Sequence, residues 1–580
     1  MSNEKSTKRL YSQSGVKSMY PYSGYSNIQY PAHTTWQQSY YRKDLVKSVR
    51  PQPRAPKEEL RGVWVTTVRN TDFPSPEVFA NGEFNLDLFK REFLEIISRS
   101  KALKINTIFF QVRPEGDAFY RSVVNPWSSY LTGEQGVEPN WGDFDPLAWM
   151  INAAHLEGIE FHAWFNPYRI TPSDNPGQSK EELLERLNVS HYVRRHPDWV
   201  YFFHGQLYLD PGIPEVNDYM MATVREVLEN YEVDAIHLDD FFYPYSYQKV
   251  VDGQVITVSF ADESPDYETY QRNHQANQTI DEWREYNINH LVYSLSNEVR
   301  DFNAKENKNV AFGISPFGVW ASAEETGGVG SQTSEFQLSS LSEYVNSKLW
   351  VESEWIDYII PQNYWAFDDA LSAFHHVADW WNQIVSGTKT QLYMGLGLYL
   401  YEEDASNPAW QNSEEINDQI RYLRKLENVK GYVFFTYHNL LPEKAETEVL
   451  KQALPKLSEE IQPNYSVVPP RPQLQYESTA PISNLKAFRC DEGCNLLTFE
   501  DYPEGKSQYY VIYRIEGSYP EGIDITNSNE IINVIGKAKG KKAQHYTDYQ
   551  IKENQTYTYA VTALSQAQIE SKPVFTIFMP

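Results

Sequence analysis

Short apolar runs alternate with helical patterns over residues 58–455. The runs are RGVWVTTV from Arg61, INTIFFQV from Ile105, EFHAWFN from Glu160, VDAIHLDD from Val233, VAFGISPF from Val310, IDYIIPQNYW from Ile356, QLYMGLGLY from Gln391 and GYVFFTYHNL from Gly431. Near-continuous hydrophobicity is expected of parallel strands that are buried on both faces of a sheet. The eight runs therefore predict eight parallel strands.

The segments between the runs carry helix signals. Apolar residues repeat at helical spacing from Leu86 to Ile97, before the second run. Before the third run, Asp145 and Pro146 provide an N-cap and a first-turn proline, and Gly158 ends the helix. Alternating strands and helices predict a closed (β/α)₈ TIM barrel. An open doubly wound sheet is the alternative, but no G-x-G-x-x-G motif follows any run.

Composition marks the limits of the barrel. Residues 1–57 are rich in Tyr, Ser and Pro without any period, which predicts a disordered or extended arm. Repeated prolines in residues 456–483 indicate a linker. Residues 484–580 contain short strand patterns and turns without a helical stretch, which predicts a β-sandwich. Within it, YTYAVTAL resembles the penultimate strand of a fibronectin type III domain.

The net charge of −27 argues against a nucleic-acid partner, because binding to phosphates needs a basic surface. Residues 1–57 carry about +8, so the rest of the chain carries about −35. No run approaches the ~18 apolar residues of a membrane span, and no signal peptide opens the sequence. The aromatic content of 15% suits a glycan binder, but it also suits well-filled cores.

The two cysteines, Cys490 and Cys494, flank a turn signal in the C-terminal region. They are placed to form a local disulfide, which would indicate an oxidising compartment, and two free thiols are the alternative.

The end of the fourth run carries the strongest candidate chemistry. In a (β/α)₈ barrel, the loops after the C-terminal ends of the strands build the active site. VDAIHLDD is apolar until it ends in Asp239 and Asp240. Two adjacent carboxylates that lose hydration repel each other, which raises the pKa of at least one, as a general acid requires. We therefore predict that both are catalytic; a cation site or a loop cap is the structural alternative.

Polar and aromatic residues at the other strand ends are the predicted substrate contacts. They are Arg113, Glu115, Asp117, Trp164, Asn166, Tyr168, His237, Tyr243, Gln362, Asn363, Tyr364 and Trp365. Arg113 would neutralise the carboxylates or hold an acidic substrate group, or else tie its loop down. The aromatic and amide residues are typical of a sugar subsite and also of packing corners, and His237 is a core residue or a substrate contact. No spacing of His, Cys and carboxylates predicts a metal site, and no cofactor is predicted.

Several blocks of the sequence resemble one family. RGVWVTTVRNTDFPS, FQVRPEGDAFY, FDPLAWMINAAHLEGIEFHAWFNPYR, IHLDDFFYPY and PQNYWAF are similar, in this order, to the glycosyl-hydrolase-like 10 family. Characterised members are bacterial envelope proteins that cleave the glycan strands of peptidoglycan, and some carry a trailing fibronectin type III domain. The resemblance implies an extracytoplasmic glycosidase that acts on the GlcNAc–MurNAc polymer. Without a visible leader, another export route or retention inside the cell are the alternatives.

Glycosidases usually place two carboxylates across the scissile bond. Because Asp239 and Asp240 are adjacent and the fifth to eighth runs end without acids, we infer that the substrate's own acetamido group is the nucleophile, as in hexosaminidases with a comparable pair. We assign Asp240 as the general acid and Asp239 as the residue that orients the acetamide. Successive strand residues point to opposite faces, so both reach the substrate only if the strand breaks at Asp239.

Two other functions fit the same sequence. One is a glycan-binding module with little or no turnover. The other is a structural component of a larger cell-envelope assembly, docked through residues 1–57.

Overall fold

The computed structural model describes residues 56–172, 177–334, 339–475, 478–490 and 493–580. Strands β1 to β19 span, in order, Leu60–Val65, Thr107–Arg113, Glu160–Phe165, Val200–Phe203, Gln206–Leu209, Ala235–Leu238, Tyr247–Val251, Gln254–Val258, Ala311–Ile314, Tyr358–Ile359, Gln391–Gly397, Val429–Phe435, Ser483–Arg489, Asn495–Glu500, Ser507–Glu516, Ile531–Gly536, Ala543–Asp548, Tyr557–Ser565 and Val574–Phe578. Helices α1 to α14 span Leu86–Ala102, Ser129–Thr132, Pro146–Leu156, Lys180–Arg186, Tyr192–Arg195, Pro214–Asn230, Phe260–Glu263, Tyr267–Asn273, Ile280–Glu306, Ser347–Glu352, Phe374–Ile384, Leu400–Glu403, Glu415–Leu423 and Glu448–Lys456.

Eight parallel strands close into a barrel in the order β1-β12-β11-β10-β9-β6-β3-β2. Each of the eight apolar runs forms one of these strands, so the predicted barrel is confirmed. The side chain of Asp145 accepts a hydrogen bond from the N–H of Ala148 at the start of α3, and Pro146 is the first residue of that helix. Capping chemistry thus sets this boundary as the sequence predicts.

Two hairpins interrupt the alternation of strands and helices. Strands β4 and β5 pair in the segment after β3, and β7 and β8 pair after β6. No sequence pattern predicted either hairpin, because these strands are only four or five residues long. The second hairpin is also exposed along most of its length, so no alternation of apolar and polar residues marks it.

The C-terminal region forms two antiparallel sheets, as the absence of helical patterns predicts. One sheet has the order β13-β14-β17 and the other the order β16-β15-β18-β19. Leu497 and Phe499 from the first sheet share a buried cluster with Tyr510 and Ile512 from the second. The structure joins Cys490 to Cys494 by a disulfide, the first of the two alternatives for this pair.

The sandwich packs against the floor of the barrel, where the strands begin. Arg471, in the proline-rich segment 456–483, forms a buried ion pair with Glu160 at the start of β3. Gln508 of β15 donates a hydrogen bond to Asp234, just before β6, at 2.7 Å. Gly158 has a φ of +70°, and a Cβ there would collide with the carbonyl of Val534. This packing covers the floor of the barrel and leaves the sandwich remote from the C-terminal strand ends.

Nearly all of the predicted N-terminal arm lies outside the described residues. Within the described part of the chain, no helix combines the length and the apolar character that a bilayer span requires.

Candidate active site

The carboxylates of Asp239 and Asp240 lie just beyond the end of β6. The strand ends at Leu238, so the alternation of its faces stops before the pair. Both side chains are buried. The Oδ2 atom of Asp239 accepts hydrogen bonds from Nε1 of Trp164, at 3.0 Å, and from Nδ2 of Asn166. The structure therefore brings two predicted residues at the end of β3 onto Asp239.

Asp240 has different partners. Its Oδ2 atom accepts a hydrogen bond from the phenol of Tyr245. The amide of Gln362 faces the same carboxylate, and its Nε2 donates to the carbonyl of Ser315 at 2.9 Å. The Oδ1 atom of Asp240 is buried, and the described residues offer it no hydrogen-bond partner. That oxygen is the position at which the pair can carry a proton.

Residues from three strand ends fix the amide of Asn166. Its Oδ1 accepts hydrogen bonds from Nε2 of Gln111, at 2.6 Å, and from the guanidinium of Arg169, at 2.9 Å. The Oε1 of Gln111 in turn accepts from the backbone N–H groups of Thr67 and Val68, each at 2.9 Å. Because the oxygen of Asn166 faces two donors, its nitrogen must face the carboxylate. The amide is thereby oriented as a donor to Asp239.

Arg169 supplies a positive charge beside the carboxylates. Its guanidinium also donates to the carbonyl of Pro114 at 3.2 and 3.3 Å, and it lies over the ring of Phe241, 4.8 Å from the centroid. The charge of Arg169 lowers the pKa of both Asp239 and Asp240 and so opposes the effect of burial. Arg169 ends the FNPYR stretch of the sequence but was not among the predicted site residues.

Burial and mutual repulsion set the charge of the pair. Loss of hydration and the neighbouring Asp240 raise the pKa of Asp239 to about 7, and burial also raises the pKa of Asp240. Because the two buried carboxyl groups repel each other when both are charged, a state in which they share one proton is favoured. The oxygens of Asp239 accept from three N–H groups, the third being the backbone N–H of Phe241 at 3.3 Å. These donors favour a charged Asp239, so we place the proton on Asp240.

Aromatic side chains from five strand ends surround this region, and we call them the aromatic arc. They are Phe241, Tyr245, Phe317, Tyr364, Trp365, Tyr399 and Phe435. Neighbouring ring centroids in the arc are 5.6 to 6.1 Å apart. Flat apolar faces of this kind suit the apolar faces of sugar rings. Of these residues, Tyr364 and Trp365 were predicted from the sequence. The other five also follow or end barrel strands, so their position relative to the strands could have predicted them.

A second acidic group follows β2. Glu115 accepts a hydrogen bond from the phenol of Tyr130 at 3.1 Å, and Asp117 accepts one from the amide of Gln135 at 3.1 Å. Both carboxyl groups are buried. Burial raises the pKa of Glu115 to about 8, although Arg169 opposes the shift, and it also raises the pKa of Asp117. Burial therefore favours the protonated form of Glu115 near neutral pH.

The family model for Glycosyl hydrolase-like 10 matches residues 59–412, more than half of the chain. The chain belongs to this family. The matched region runs from the start of β1 past α12 and includes Asp239, Asp240 and Glu115. Like its relatives, this glycosyl hydrolase-like 10 protein is a glycoside hydrolase.

Two curated relatives carry the name glycosyl hydrolase. Glycosyl hydrolase YngK from Bacillus subtilis strain 168 is 35% identical over 519 residues, which cover 89% of this chain and 92% of the relative. Glycosyl hydrolase DigH from Escherichia coli K12 is 32% identical over 386 residues, or 65% of this chain and 83% of the relative. Among solved structures, the glycoside hydrolase domain of PgaB (BpsB) from Bordetella bronchiseptica is 12% identical, with a TM-score of 0.38; the match covers 70% of this chain and 98% of that one.

His237, which the sequence predicts as a core residue or a substrate contact, is buried in the interior of the glycosyl hydrolase-like 10 barrel. Its Nε2 lies 3.0 Å from Oγ of Ser315 and accepts from Nε1 of Trp64 at 3.3 Å, and its Nδ1 lies 3.2 Å from the phenol of Tyr358. Because β6 is buried on both faces, a histidine within it packs into the barrel interior.

Arg113 and Tyr168, two of the predicted substrate contacts, are buried and form hydrogen bonds within the protein. The buried guanidinium of Arg113 donates to the carbonyls of Asn166 and Pro167, so it ties down the loop after β3. Tyr168 is buried as well, and its carbonyl accepts a hydrogen bond from the N–H of Leu209 in β5. The β4–β5 hairpin thus lies beside Tyr168, and no sequence pattern predicted that hairpin.

Tyr243 and Asn363 pack away from the pair. The ring of Tyr243 lies 5.1 Å from that of Phe260 and 5.2 Å from that of Tyr344, among buried residues. The buried amide of Asn363 donates to the carbonyl of Phe374 at 3.0 Å. In the FFYPY segment, the phenol that reaches Asp240 is two residues further on, at Tyr245.

We expect Glu115→Gln to stabilise this glycosyl hydrolase-like 10 protein at high pH. Because the folded-state pKa lies above the usual one, the folded state favours the protonated carboxyl. Stability is therefore lost as the pH rises from about 4.5 to about 8. A neutral amide avoids this loss, so the free energy of unfolding at pH 9 should rise by roughly 2 to 4 kcal/mol, with little change at pH 4.

Chemical denaturation at both pH values measures this effect. Glu134→Gln is the matched control, because Glu134 is exposed on the same loop. A gain of equal size at pH 4 and pH 9 would contradict the assigned protonation.

Proposed function

We propose that this glycoside hydrolase cleaves the GlcNAc–MurNAc glycan strands of peptidoglycan and uses the acetamido group of the substrate as its nucleophile. The proposal rests on the different hydrogen-bond partners of the two carboxylates. Three N–H groups donate hydrogen bonds to Asp239, which favours its charged form, whereas Asp240 has one oxygen without a partner among the described residues. Such a pair can orient one group and protonate another.

In the first step, the charged carboxylate of Asp239 accepts a hydrogen bond from the acetamide N–H of the substrate. The acetamide oxygen then attacks the anomeric carbon, and the bond from that carbon to the leaving oxygen breaks. Asp240 donates its proton to the leaving oxygen. The product of this step is a bicyclic oxazoline-type intermediate on the substrate, and no covalent bond to the protein forms.

In the second step, Asp240 acts as a base. It removes a proton from a water molecule whose oxygen attacks the anomeric carbon, and the bond to the acetamide oxygen breaks. The acetamide is restored and Asp240 is protonated again, so one water is consumed for each bond that is cleaved. Two displacements at the same carbon retain its configuration.

Two features support this substrate class. Both sugars of the GlcNAc–MurNAc repeat carry an acetamide, which the inferred mechanism requires. The aromatic arc places several rings at the same strand ends as the pair, which suits contact with sugar rings. Glu115 is protonated and bonded to Tyr130, so it is a poor substitute nucleophile.

The substrate class can be tested with matched β-1,4-linked polymers. Purified peptidoglycan glycan strands, chitin oligosaccharides and cello-oligosaccharides share the linkage, but the cello-oligosaccharides lack the acetamide. We expect cleavage of the peptidoglycan strands and none of the cello-oligosaccharides. Comparable turnover on the cello-oligosaccharides would contradict the proposal.

Tyr245→Phe should shift the pH dependence of hydrolysis. The phenol of Tyr245 lowers the pKa of Asp240 by stabilising its charged form. Without it, the carboxyl keeps its proton to higher pH, so the alkaline limb of kcat/KM should move up by about half to one pH unit. We also expect kcat to fall about fivefold, because one contact that positions the acid is lost.

Tyr247→Phe is the matched control, since that phenol bonds to Glu263 in the same region, at 2.7 Å. An unchanged alkaline limb in Tyr245→Phe would exclude Asp240 as the group that titrates there.

We further propose that the C-terminal sandwich is a fibronectin type III module and that the enzyme works at the cell envelope. Three strands in one sheet and four in the other support the first part. The proposed substrate supports the second. Docking through residues 1–57 stays a prediction, because the segment lies almost entirely outside the described residues.

A further inference from the structure

A chain of buried polar side chains crosses the barrel from its floor toward the carboxylate pair. Each of these residues contacts the next one, and we call them the interior chain. In order from the floor, they are Glu160, His162, Tyr358, His237, Ser315 and Gln362.

The contacts of the interior chain run through the middle of the barrel. His162 of β3 and His237 of β6 both reach the phenol of Tyr358, which lies in β10. Strand β10 pairs with β9 and β11, so these bonds cross the interior. Branched apolar side chains dominate the interior of such barrels, and buried polar groups are costly unless all are satisfied. A polar chain in this place therefore indicates a role beyond filling space.

The floor end of the chain has a fixed direction. Burial raises the pKa of Glu160, but the charge of Arg471 outweighs it and keeps the carboxylate ionised. A charged carboxylate only accepts hydrogen bonds, so Nε2 of His162, 3.0 Å from Oε2 of Glu160, carries a proton. Burial lowers the pKa of His162, so the ring is neutral. Its Nδ1 must then accept a hydrogen bond from the phenol of Tyr358, at 3.0 Å.

The other end of the chain gives the same direction independently. The indole N–H of Trp64 can only donate, and it lies 3.3 Å from Nε2 of His237. That nitrogen therefore has no proton, and it also accepts from the hydroxyl of Ser315, at 3.0 Å. Burial lowers the pKa of His237, so the ring is neutral and its one proton is on Nδ1. This proton faces the phenol oxygen of Tyr358, at 3.2 Å.

Ser315 connects the chain to the carboxyl group of Asp240. The backbone carbonyl of Ser315 accepts a hydrogen bond from Nε2 of Gln362 at 2.9 Å. This nitrogen has a second hydrogen, and the amide of Gln362 opposes the effect of burial on the pKa of Asp240 by donating to its charged form. Because the hydroxyl of Ser315 is bonded to His237, a shift of the His237 ring would disturb the carbonyl that holds Gln362.

We propose that His237 is a positioning residue for the reaction: the interior chain holds it as the Nδ1–H tautomer, and through Ser315 and Gln362 it fixes the orientation of the Asp240 carboxyl group. This inference rests on the proposed function, in which Asp240 is the general acid. The ion pair between Arg471 and Glu160 fixes the direction of the chain at the floor. The segment 456–483 therefore contributes to the order of a site at the opposite end of the barrel.

Tyr358→Phe tests the proposal, because it breaks the chain with almost no change in volume. It leaves the Nδ1–H of His237 without its acceptor, so the ring should move and weaken the hold on Asp240. We expect kcat on peptidoglycan strands to fall about fivefold with KM within about twofold, and the alkaline limb of kcat/KM to move up by about half a pH unit. Tyr393→Phe is the matched control and should behave as the wild type. Its ring is buried 5.7 Å from that of Tyr358, but its phenol donates to Gln391.

A second pair of variants separates positioning from packing. His237→Gln keeps an acceptor for Ser315 and a donor for Tyr358, whereas His237→Leu removes both. We expect the glutamine variant to keep most of the wild-type kcat and pH profile, and the leucine variant to match Tyr358→Phe. All of these variants retain the titratable groups that also act on the charge of Asp240, namely Asp239, Arg169, Tyr245 and Tyr399.

Two measurements do not depend on turnover. Nitrogen-15 NMR of labelled histidine shows which ring nitrogen carries the proton, and the signal of His237 is assigned by its loss in His237→Gln. We expect the Nδ1–H tautomer in the wild type and in Tyr393→Phe. Crystal structures of Tyr358→Phe and Tyr393→Phe show whether Gln362 stays against Asp240, and we expect it to move in the first variant alone.

The outcomes separate this proposal from the proposed function. An Nε2–H tautomer of His237 in the wild type, or wild-type kcat and pH profile in Tyr358→Phe, overturns the positioning role and leaves the proposed function standing. Equal losses in Tyr358→Phe and Tyr393→Phe assign the effect to packing and also overturn it. If the wild type cleaves no strands, the proposed function fails. Movement of Gln362 in Tyr358→Phe alone then supports the interior chain, and an unmoved Gln362 overturns it.

Discussion

Asp240→Asn should lower kcat on peptidoglycan glycan strands by a factor on the order of 10³. An amide cannot give a proton to the leaving oxygen, and it cannot remove one from water in the second step. The change is isosteric and removes the repulsion between Asp239 and Asp240, so the folded state should keep its melting temperature or gain slightly. Initial rates and thermal unfolding of the purified variant measure both effects.

Asp252→Asn is the control for this result, since Asp252 is an exposed aspartate in the hairpin that follows the pair. Wild-type rates in Asp240→Asn, together with a wild-type melting temperature, would remove Asp240 from the mechanism.

De-N-acetylated strands should bind to the enzyme and resist cleavage, with kcat again lower by a factor on the order of 10³. The nucleophile is then missing, and a free ammonium group would form an ion pair with Asp239 in place of the amide contact. The aromatic arc can still stack on the sugar rings, so the affinity should fall much less than the turnover. The measurement is the rate on matched acetylated and deacetylated strands, with binding followed separately.

A thiazoline analogue of the bicyclic intermediate tests the attack by the acetamide oxygen independently. It should inhibit the wild type competitively. Equal turnover on both kinds of strand, with no inhibition by the thiazoline, would rule out the acetamido group as nucleophile and favour a protein carboxylate such as Glu115 or Asp117.

The barrel could be predicted from the sequence because its signals are local. Runs such as VDAIHLDD are apolar on both faces, and Asp145 with Pro146 marks a helix start by hydrogen bonding and fixed backbone geometry. The hairpins β4–β5 and β7–β8 could not be predicted in this way. Their strands are short and lie in the long segments between barrel elements, where no repeating burial constrains the sequence.

The carboxylate pair was also predictable, because polar residues at the end of a buried strand stand out. The side chains that contact the two carboxylates could not be predicted. Arg169 and Tyr245 belong to sequence blocks that resemble the family. Only the fold, however, turns their side chains toward Asp239 and Asp240. Tyr243 and Asn363 have suitable chemistry for a sugar site, but the fold turns their side chains into packed loops.

Under the proposed function, this chain hydrolyses GlcNAc–MurNAc strands through its carboxylate pair. Mass spectrometry of the products formed in oxygen-18 water tests it most directly. We predict that the wild type releases strand fragments with one oxygen-18 atom at each new reducing end, and that Asp240→Asn releases almost none. Intact strands after incubation with the wild type, or fragments that end in anhydro sugars without the label, would contradict the claim.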